Sequence, residues 1–312
     1  MTNISLESRL GNQVFPNLMT NASGVMCISG EELDKMLESN AGGIITKSAT
    51  TNYRPGNPTP RQQLLELGSI NSMGIPNEGL DFYLKFVLDH QNNEKPIILS
   101  VSGLSVEENK ELFTQIQSSN FNGLIELNLS CPNVVGKPQV GYDFPTIKEE
   151  LDTVFSVCDK QIGVKLPPYF DFFQFDQVAE ILNQFPIAYV NTINSIGNGM
   201  AVDLKNESAY IKPKGGFGGI GGEFIKPIAL SNVRAFRKRL NPEIQIIGTG
   251  GIKNGSDVFE HVLCGADIVQ IGTELWREGT GVFDRLADEL KIIMEEKGYT
   301  KLSDFRGKLK EL

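Results

Sequence analysis

Eight short apolar runs alternate with segments of helical periodicity along the whole chain. The runs span 18–24, 43–50, 96–103, 123–130, 161–167, 188–195, 243–250 and 267–273. Many are near-continuous in Val, Ile and Leu rather than strictly alternating, which is the pattern of parallel strands buried on both faces. Between them, Ser29 with Glu32 and Ser105 with Glu108 have the capping-box spacing that starts a helix. Val106, Leu112, Phe113 and Ile116 then share one helical face, as do Val282, Phe283, Leu286, Leu290, Ile293 and Met294 near the end. Eight strands alternating with helices predict an α/β chain folded as a (β/α)8 TIM barrel. The rival is a doubly wound sheet, which would usually carry G-x-G-x-x-G after its first strand; the turn there reads TNASGV.

The chain has 312 residues. A prior of about 150 residues per domain suggests two domains, but barrels of about 250 residues or more fold as one. One domain over 1–312 is the expectation. Two connections are longer than the rest: 51–77, rich in Pro and Gly, and 196–227, with the run KPKGGFGGIGG. Long βα connections lie at the C-terminal mouth of a barrel, so both are expected to form a lid there. Formal net charge is −9, which argues against nucleic acid or an anionic membrane as partner. No apolar run approaches the roughly 18 residues of a membrane span. The opening MTNISLESRL lacks the basic start and apolar core of a signal peptide, so the expected location is the cytoplasm with reduced thiols. Four cysteines without a C-x-x-C pair and only two histidines, His90 and His261, argue against a zinc site.

Polar residues at the C-terminal ends of barrel strands converge on one mouth. In chain order those ends carry Ala22-Ser23-Gly24, Lys47-Ser48, Ser100 with Ser102, Asn128 to Cys131, Lys165, Asn191 to Ser195, Gly248 to Gly251, and Gly272-Thr273. A lysine at one strand end is often just a solvated loop residue; two after apolar runs on different strands are harder to dismiss. Asn128 inside IELNLSCPN is a costly insertion in a buried strand unless it is hydrogen-bonded. A lone cysteine is more often a small core residue than a catalyst, and Cys158 and Cys264, in helical patterns, read that way. Cys131 differs because it follows a strand and precedes Pro132 and Asn133. The turns IGTGGI and QIGTEL follow the seventh and eighth strands, the usual place for a barrel phosphate site, where glycine lets backbone N–H groups approach the anion.

These residues resemble those of the dihydroorotate dehydrogenases, and most closely the class 1A branch. The matching motifs are TNASG (20–24), TKSAT (46–50), GNPTPR (56–61), NSMGIPN (71–77), NLSCPNVVGKPQ (128–139), KLPPYFD (165–171), NTINSIGNG (191–199), IGTGGI and QIGTEL. Val135 and Ile75 depart from the nearest relatives, where Pro and Leu are expected, without touching a reacting group. The resemblance implies an FMN-bearing barrel that oxidises (S)-dihydroorotate to orotate in pyrimidine biosynthesis, a homodimer that passes electrons to fumarate, and no metal. It implies Cys131 as the base, with Lys47 close to both substrate and flavin. Asn71, Asn128, Asn133 and Asn194 would hold the substrate, with Ser195 beside them and loop contacts from Met73 and Gly74. Ala22, Ser23, Ser48 and Ile193 would line the flavin, with Lys165 at its N1–O2 edge and Asn128 and Lys47 also in reach. Gly250, Gly251, Gly272 and Thr273 would hold its phosphate, and Gly222 would approach the flavin or that phosphate.

The residue types suit this chemistry on their own terms. Orotate formation removes a proton from C5 and a hydride from C6; no side chain can hold the hydride, so a redox cofactor must. A thiol with a reference pKa of about 8.5 is partly ionised near neutrality, more so beside a lysine. Asn side chains match the donors and acceptors of a planar amide-edged anion. Two other readings stay open: a class 1B-type subunit that works with an iron–sulfur partner and NAD, and a Schiff-base aldolase using Lys47 or Lys165.

Overall fold

The computed structural model describes residues 4–130 and 139–312. Its centre is an eight-stranded sheet: β1 (Met19–Asn21), β2 (Ile44–Ile45), β3 (Ile97–Val101), β4 (Leu124–Asn128), β5 (Ile162–Leu166), β6 (Tyr189–Thr192), β7 (Gln245–Thr249) and β8 (Ile268–Ile271). The hydrogen-bonded order is β1-β8-β7-β6-β5-β4-β3-β2, and every pair is parallel. The helices are α1 (Gly30–Glu38), α2 (Leu80–His90), α3 (Val106–Gln117), α4 (Phe144–Val157), α5 (Phe172–Leu182), α6 (Lys226–Arg237), α7 (Gly255–Cys264), α8 (Thr273–Glu278) and α9 (Val282–Glu296). They alternate with the strands as a (β/α)8 barrel requires.

One backbone bond, from the Gly42 N–H to the Met19 carbonyl at 2.8 Å, and one side chain close the seam between the first and last strands of that order. In a parallel ladder, alternate residues direct their backbone groups to opposite neighbours. The N–H groups of Ile44 and Thr46 go to the carbonyls of Pro96 and Ile98 on the β3 side. Those of Ile45 face β1, where the buried Asn21 amide takes the place of a backbone: Ile45 donates to Oδ1 at 2.9 Å, and Nδ2 donates to the Ile45 carbonyl at 3.0 Å. β2 is much shorter than the 43–50 run. Beyond Thr46, whose hydroxyl accepts the Ser100 N–H at 3.0 Å, the chain leaves β3 and rejoins it at Ala49, which bridges Val101. That departure carries Lys47 and Ser48 to the mouth.

Helix starts follow the sequence signals with one difference. Ser29 and Glu32 form a full capping box on α1. Ser105 accepts the Glu108 N–H at 3.2 Å, but the Glu108 carboxylate turns to the N–H groups of Leu104 at 2.7 Å and Thr51 at 3.1 Å. It thereby ties α3 to the connection after β2. Leu112, Phe113 and Ile116 are buried with Asn109, while Val106 is only half covered; on α9, Val282, Phe283, Leu286, Leu290 and Met294 are buried and Ile293 packs beside them.

The two ends of the barrel are covered differently. At the N-terminal end an antiparallel hairpin of Ser8–Leu10 with Gln13–Phe15 sits under the strands. The side chains of Gln161 and Gln245 accept from its turn at Asn12 (2.9 Å) and Gly11 (2.6 Å). At the other end the two long connections join into one four-stranded antiparallel sheet, in the order Ile196–Gly199, Gly218–Gly221, Gly68–Asn71, Gln62–Leu65. Glycine makes the junction possible: a Cβ on Gly218 would lie 2.6 Å from the Asn71 carbonyl, and one on Gly222, at φ +88°, would lie 2.3 Å from the Gly68 Cα. The expected lid is thus a sheet shared between two connections.

Candidate functional site

Under that sheet lies a cavity that opens at the mouth of the barrel. Each barrel strand that supplies a wall does so from its C-terminal end. Ala22 and Ser23 follow β1 and Lys47 follows β2; Asn128 ends β4 and Lys165 lies on β5; Ile193, Asn194 and Ser195 follow β6. Gly250 and Gly251 follow β7, and Gly272 and Thr273 follow β8. The shared sheet and its flanks add Asn71, Met73, Gly74 and Gly222. All these residues, flagged from the sequence as candidates, line the one cavity. Ser48 does not: it is buried behind the wall, with its hydroxyl 2.9 Å from Ser100 Oγ and 3.1 Å from Asn128 Nδ2. Cys131 and Asn133 lie outside the described residues.

The hydrogen bonds show how much recognition capacity each amide retains. Asn128 Oδ1 accepts from both the N–H and the hydroxyl of Ser130, at 3.0 and 2.8 Å, and one amide hydrogen goes to Ser48. Among the described residues a single N–H is left for a ligand. Asn194 donates to the Ser130 carbonyl at 2.6 Å and accepts the Ser195 N–H at 2.9 Å, which among the described residues keeps one N–H and one lone pair. Lys165 and Lys47 are almost wholly buried, at 3% and 9% exposure, so two ammonium groups face an enclosed space. Fields between charges are stronger there than in water.

The glycine turn after β7 is shaped by its surroundings. Gly250 and Gly251 have φ of +126° and +74°, and a Cβ on Gly251 would lie 2.7 Å from the backbone nitrogen of Lys226, at the start of α6. The Gly250 carbonyl accepts from Nε2 of His261 at 3.0 Å. Burial on α7 pushes the imidazole pKa down to about 4, so the ring is neutral near pH 7 and carries its proton on Nε2. In the sequence His261 counted only against a zinc site; a histidine in the segment after IGTGGI was the available signal. After β8, α8 has Gly272 as its N-cap, which offers no side-chain acceptor to the N–H groups of the first turn.

Beneath the floor lies a polar layer that the sequence reading also missed in part. Glu126 on β4 is fully buried and accepts from Asn191 Nδ2 at 2.7 Å, with Ser100 Oγ at 3.5 Å. Asn191 also donates to Gln270 Oε1 at 3.0 Å and accepts from Thr249 Oγ1 at 2.7 Å. Gln270 and Thr249 return this layer to the cavity wall. Glu126 stands two residues before Asn128 and so on the same strand face; the period of two would have found it. The remaining cysteines are inert: Cys27, Cys158 and Cys264 are buried and free, and burial pushes the Cys27 thiol up to about 11 against the opposing pull of Lys47.

A parallel barrel with a glycine turn after β7, a second after β8 and buried lysines at two strand ends is the frame of a barrel enzyme that binds a phosphate-bearing cofactor. The profile of the family "Dihydroorotate dehydrogenase" matches residues 5–294. The chain is 59% identical over 311 residues to dihydroorotate dehydrogenase (fumarate) of Saccharomyces cerevisiae, covering 99% of both chains. It is 57% identical over 310 residues to dihydroorotate dehydrogenase A (fumarate) of Lactococcus lactis subsp. lactis, covering 98% of this chain and all of that one. The crystal structure of a dihydroorotate dehydrogenase from Eimeria tenella in complex with ferulenol has the same fold, with a TM-score of 0.80 at 19% identity over 97% of this chain and 88% of that chain. The chain belongs to the dihydroorotate dehydrogenase family, in its fumarate-linked class 1A branch.

FMN is the cofactor of that branch, and the residues present fit it. Gln270 is buried and its Nε2 has no partner among the described residues, so the cavity presents a donor that needs an acceptor from a bound ring. The two glycine turns leave backbone approachable for a phosphate, and the buried Lys47 and Lys165 would face negative charge on a bound ring.

Proposed function

We propose that the chain oxidises (S)-dihydroorotate to orotate and passes the electrons to fumarate, with the whole of 1–312 acting as one FMN-binding unit. The observation that carries this reading is the convergence of Lys47, Lys165, Asn71, Asn128, Asn194 and the glycine turns on one cavity under the shared sheet. Bound FMN supplies the acceptor for the hydride that leaves C6. Cys131, as thiolate, takes the C5 proton onto Sγ. The remaining N–H of Asn128, the spare capacity of Asn194, and Asn71, Asn133 and Ser195 orient the planar anion. Met73 and Gly74 bound it from the connection after β2. Lys47 pairs its charge with the substrate carboxylate and favours the Cys131 thiolate. Lys165 stabilises negative charge on the flavin side; Ala22, Ser23 and Ile193 pack against the ring, and Ser48 holds Asn128 and Ser23 from behind. Gly250, Gly251, Gly272 and Thr273 bind the phosphate with backbone groups, and Gly222 lets the roof come close. The roof excludes water, which protects the hydride step.

The reading extends to a homodimer in the cytoplasm. Phe170 after β5, Phe172 and Phe173 in the first turn of α5, and Val202 and Leu204 after β6 are large exposed apolar side chains, which suits a second copy of the chain. Buried free thiols suit a reducing compartment. Among the described residues no helix is long and apolar enough to cross a membrane.

The test is anaerobic addition of dihydroorotate to the purified protein, then fumarate, NAD or a quinone. The expected protein is yellow, is bleached by dihydroorotate and is reoxidised by fumarate. A colourless protein, or one whose lysine is trapped with substrate by borohydride, would return the aldolase reading. Reoxidation only by NAD with an iron–sulfur partner would return the class 1B reading.

A further inference from the structure

Barrel interiors are normally filled by branched aliphatic side chains, yet a carboxyl group sits in this one. Glu126 has no solvent exposure, and an uncompensated buried charge of this kind costs several kcal/mol. Its surroundings account for the choice. Glu126 pairs with Gly163 across β4 and β5, and Asn128 pairs with Lys165, so Glu126 and Lys165 are diagonal neighbours on one face. A Cβ on Gly163 would fall 2.2 Å from the Tyr189 ring; the missing side chain makes room for that ring, whose hydroxyl comes near the carboxyl without reaching hydrogen-bond geometry. Burial raises the pKa of Glu126, and Lys165 opposes the rise. The titratable groups facing it are thus Lys165 from β5 and Tyr189 from β6. Ser100 and Asn191 are its neutral partners, with Thr249 and Gln270 beyond them, and Lys47 lies above this layer on the cavity wall.

We infer that Glu126 is a positioning and charge-matching residue for the cofactor: through Asn191 it holds the Gln270 amide toward the ring, and its charge offsets that of Lys165. The inference rests on the FMN reading above. When negative charge is added above Lys165, one proton from solvent bonds to a carboxylate oxygen of Glu126, so the lysine's charge is no longer shared. Glu126 touches neither substrate nor cofactor and acts through Lys165, Asn191 and Gln270.

The experiment uses the FMN-loaded protein. Glu126→Gln keeps an acceptor for Asn191 and removes the charge. It is expected to leave the affinity for oxidised FMN nearly unchanged and to raise the affinity for the reduced form about tenfold, a rise of about 30 mV in a two-electron midpoint. In a Lys165→Met background the same substitution is expected to move the potential far less, because the charge it acts through is gone. The reduced-minus-oxidised infrared spectrum of the wild-type protein is expected to contain a glutamic carboxyl band that moves on 13C-glutamate labelling. That measurement decides the matter if the variant does not fold. A lowered melting temperature with an unmoved potential assigns Glu126 a packing role only and overturns the inference, as does the lack of any glutamic carboxyl band. A colourless wild-type protein sinks the cofactor reading instead, and this inference with it.

Discussion

Replacing Asn21 with Ala tests how the barrel is closed. The Asn21 amide satisfies the N–H and C=O of Ile45 at 2.9 and 3.0 Å and also donates to the Val25 carbonyl at 3.0 Å. Val25 is only partly covered, so its carbonyl can turn to water. Ile45 is fully buried, and each of its two backbone groups left without a partner costs about 1–3 kcal/mol. The expected loss is therefore about 4 kcal/mol. An unfolding entropy of about 2.1 cal/mol/K per residue, over 312 residues, gives about 0.65 kcal/mol/K. The melting temperature should fall by about 6 °C. Asn21→Asp keeps the shape and one acceptor but replaces the donor Nδ2 by a carboxylate oxygen that faces two carbonyls, so it should lose a similar amount. Calorimetry on the two variants and the parent, each at the same FMN saturation, reads the effect directly. If both variants melt within about 1 °C of the parent, the Gly42–Met19 bond and packing hold the seam without this side chain and the reasoning fails.

Cys131→Ser should keep fold and flavin but slow flavin reduction by dihydroorotate by roughly 10²–10⁴, the usual worth of a positioned base, with a residual rate that climbs with pH; stopped-flow bleaching measures it. If fumarate shares the site, its step should slow as well. Gly251→Ala should weaken FMN binding about tenfold or more, because its Cβ would meet the Lys226 backbone at 2.5–2.7 Å and its φ is +74°; equilibrium titration of apoprotein with FMN checks this, with riboflavin as the phosphate-free control. His261 has its folded-state pKa lowered to about 4 from 6.5, so it binds a proton more readily when unfolded. That difference is absent above pH 6.5, grows as the pH falls and is complete near pH 4, worth about 3 kcal/mol at its full extent. Urea unfolding of wild type and His261→Gln between pH 7 and pH 4.5 should show the wild type losing its advantage; parallel curves would mean that the imidazole does not set this dependence.

Most of the barrel could be read from residue order alone, because strand, helix and cap signals are local. Near-continuous apolar runs mark strands that are covered on both faces wherever they pack, and Ser29 with Glu32 starts α1 through contacts within a few residues of the chain. The wall of the cavity was legible for a related reason: in a parallel barrel every strand points its C-terminal end to the same mouth, so the position of Lys47, Asn128, Lys165 or Gly251 in its own run already says which way it faces. The features that escaped depend on pairings between distant segments. Nothing near Ile45 in the chain announces that Asn21 will stand in for a neighbouring strand. Nothing within 51–77 or 196–227 shows that the two connections share one sheet, since register between segments so far apart is set only when both are folded. The meeting of His261 with Gly250, and of Glu126 with Asn191 and Gln270, likewise exists only once α7 lies against β7 and the barrel has closed around its polar layer.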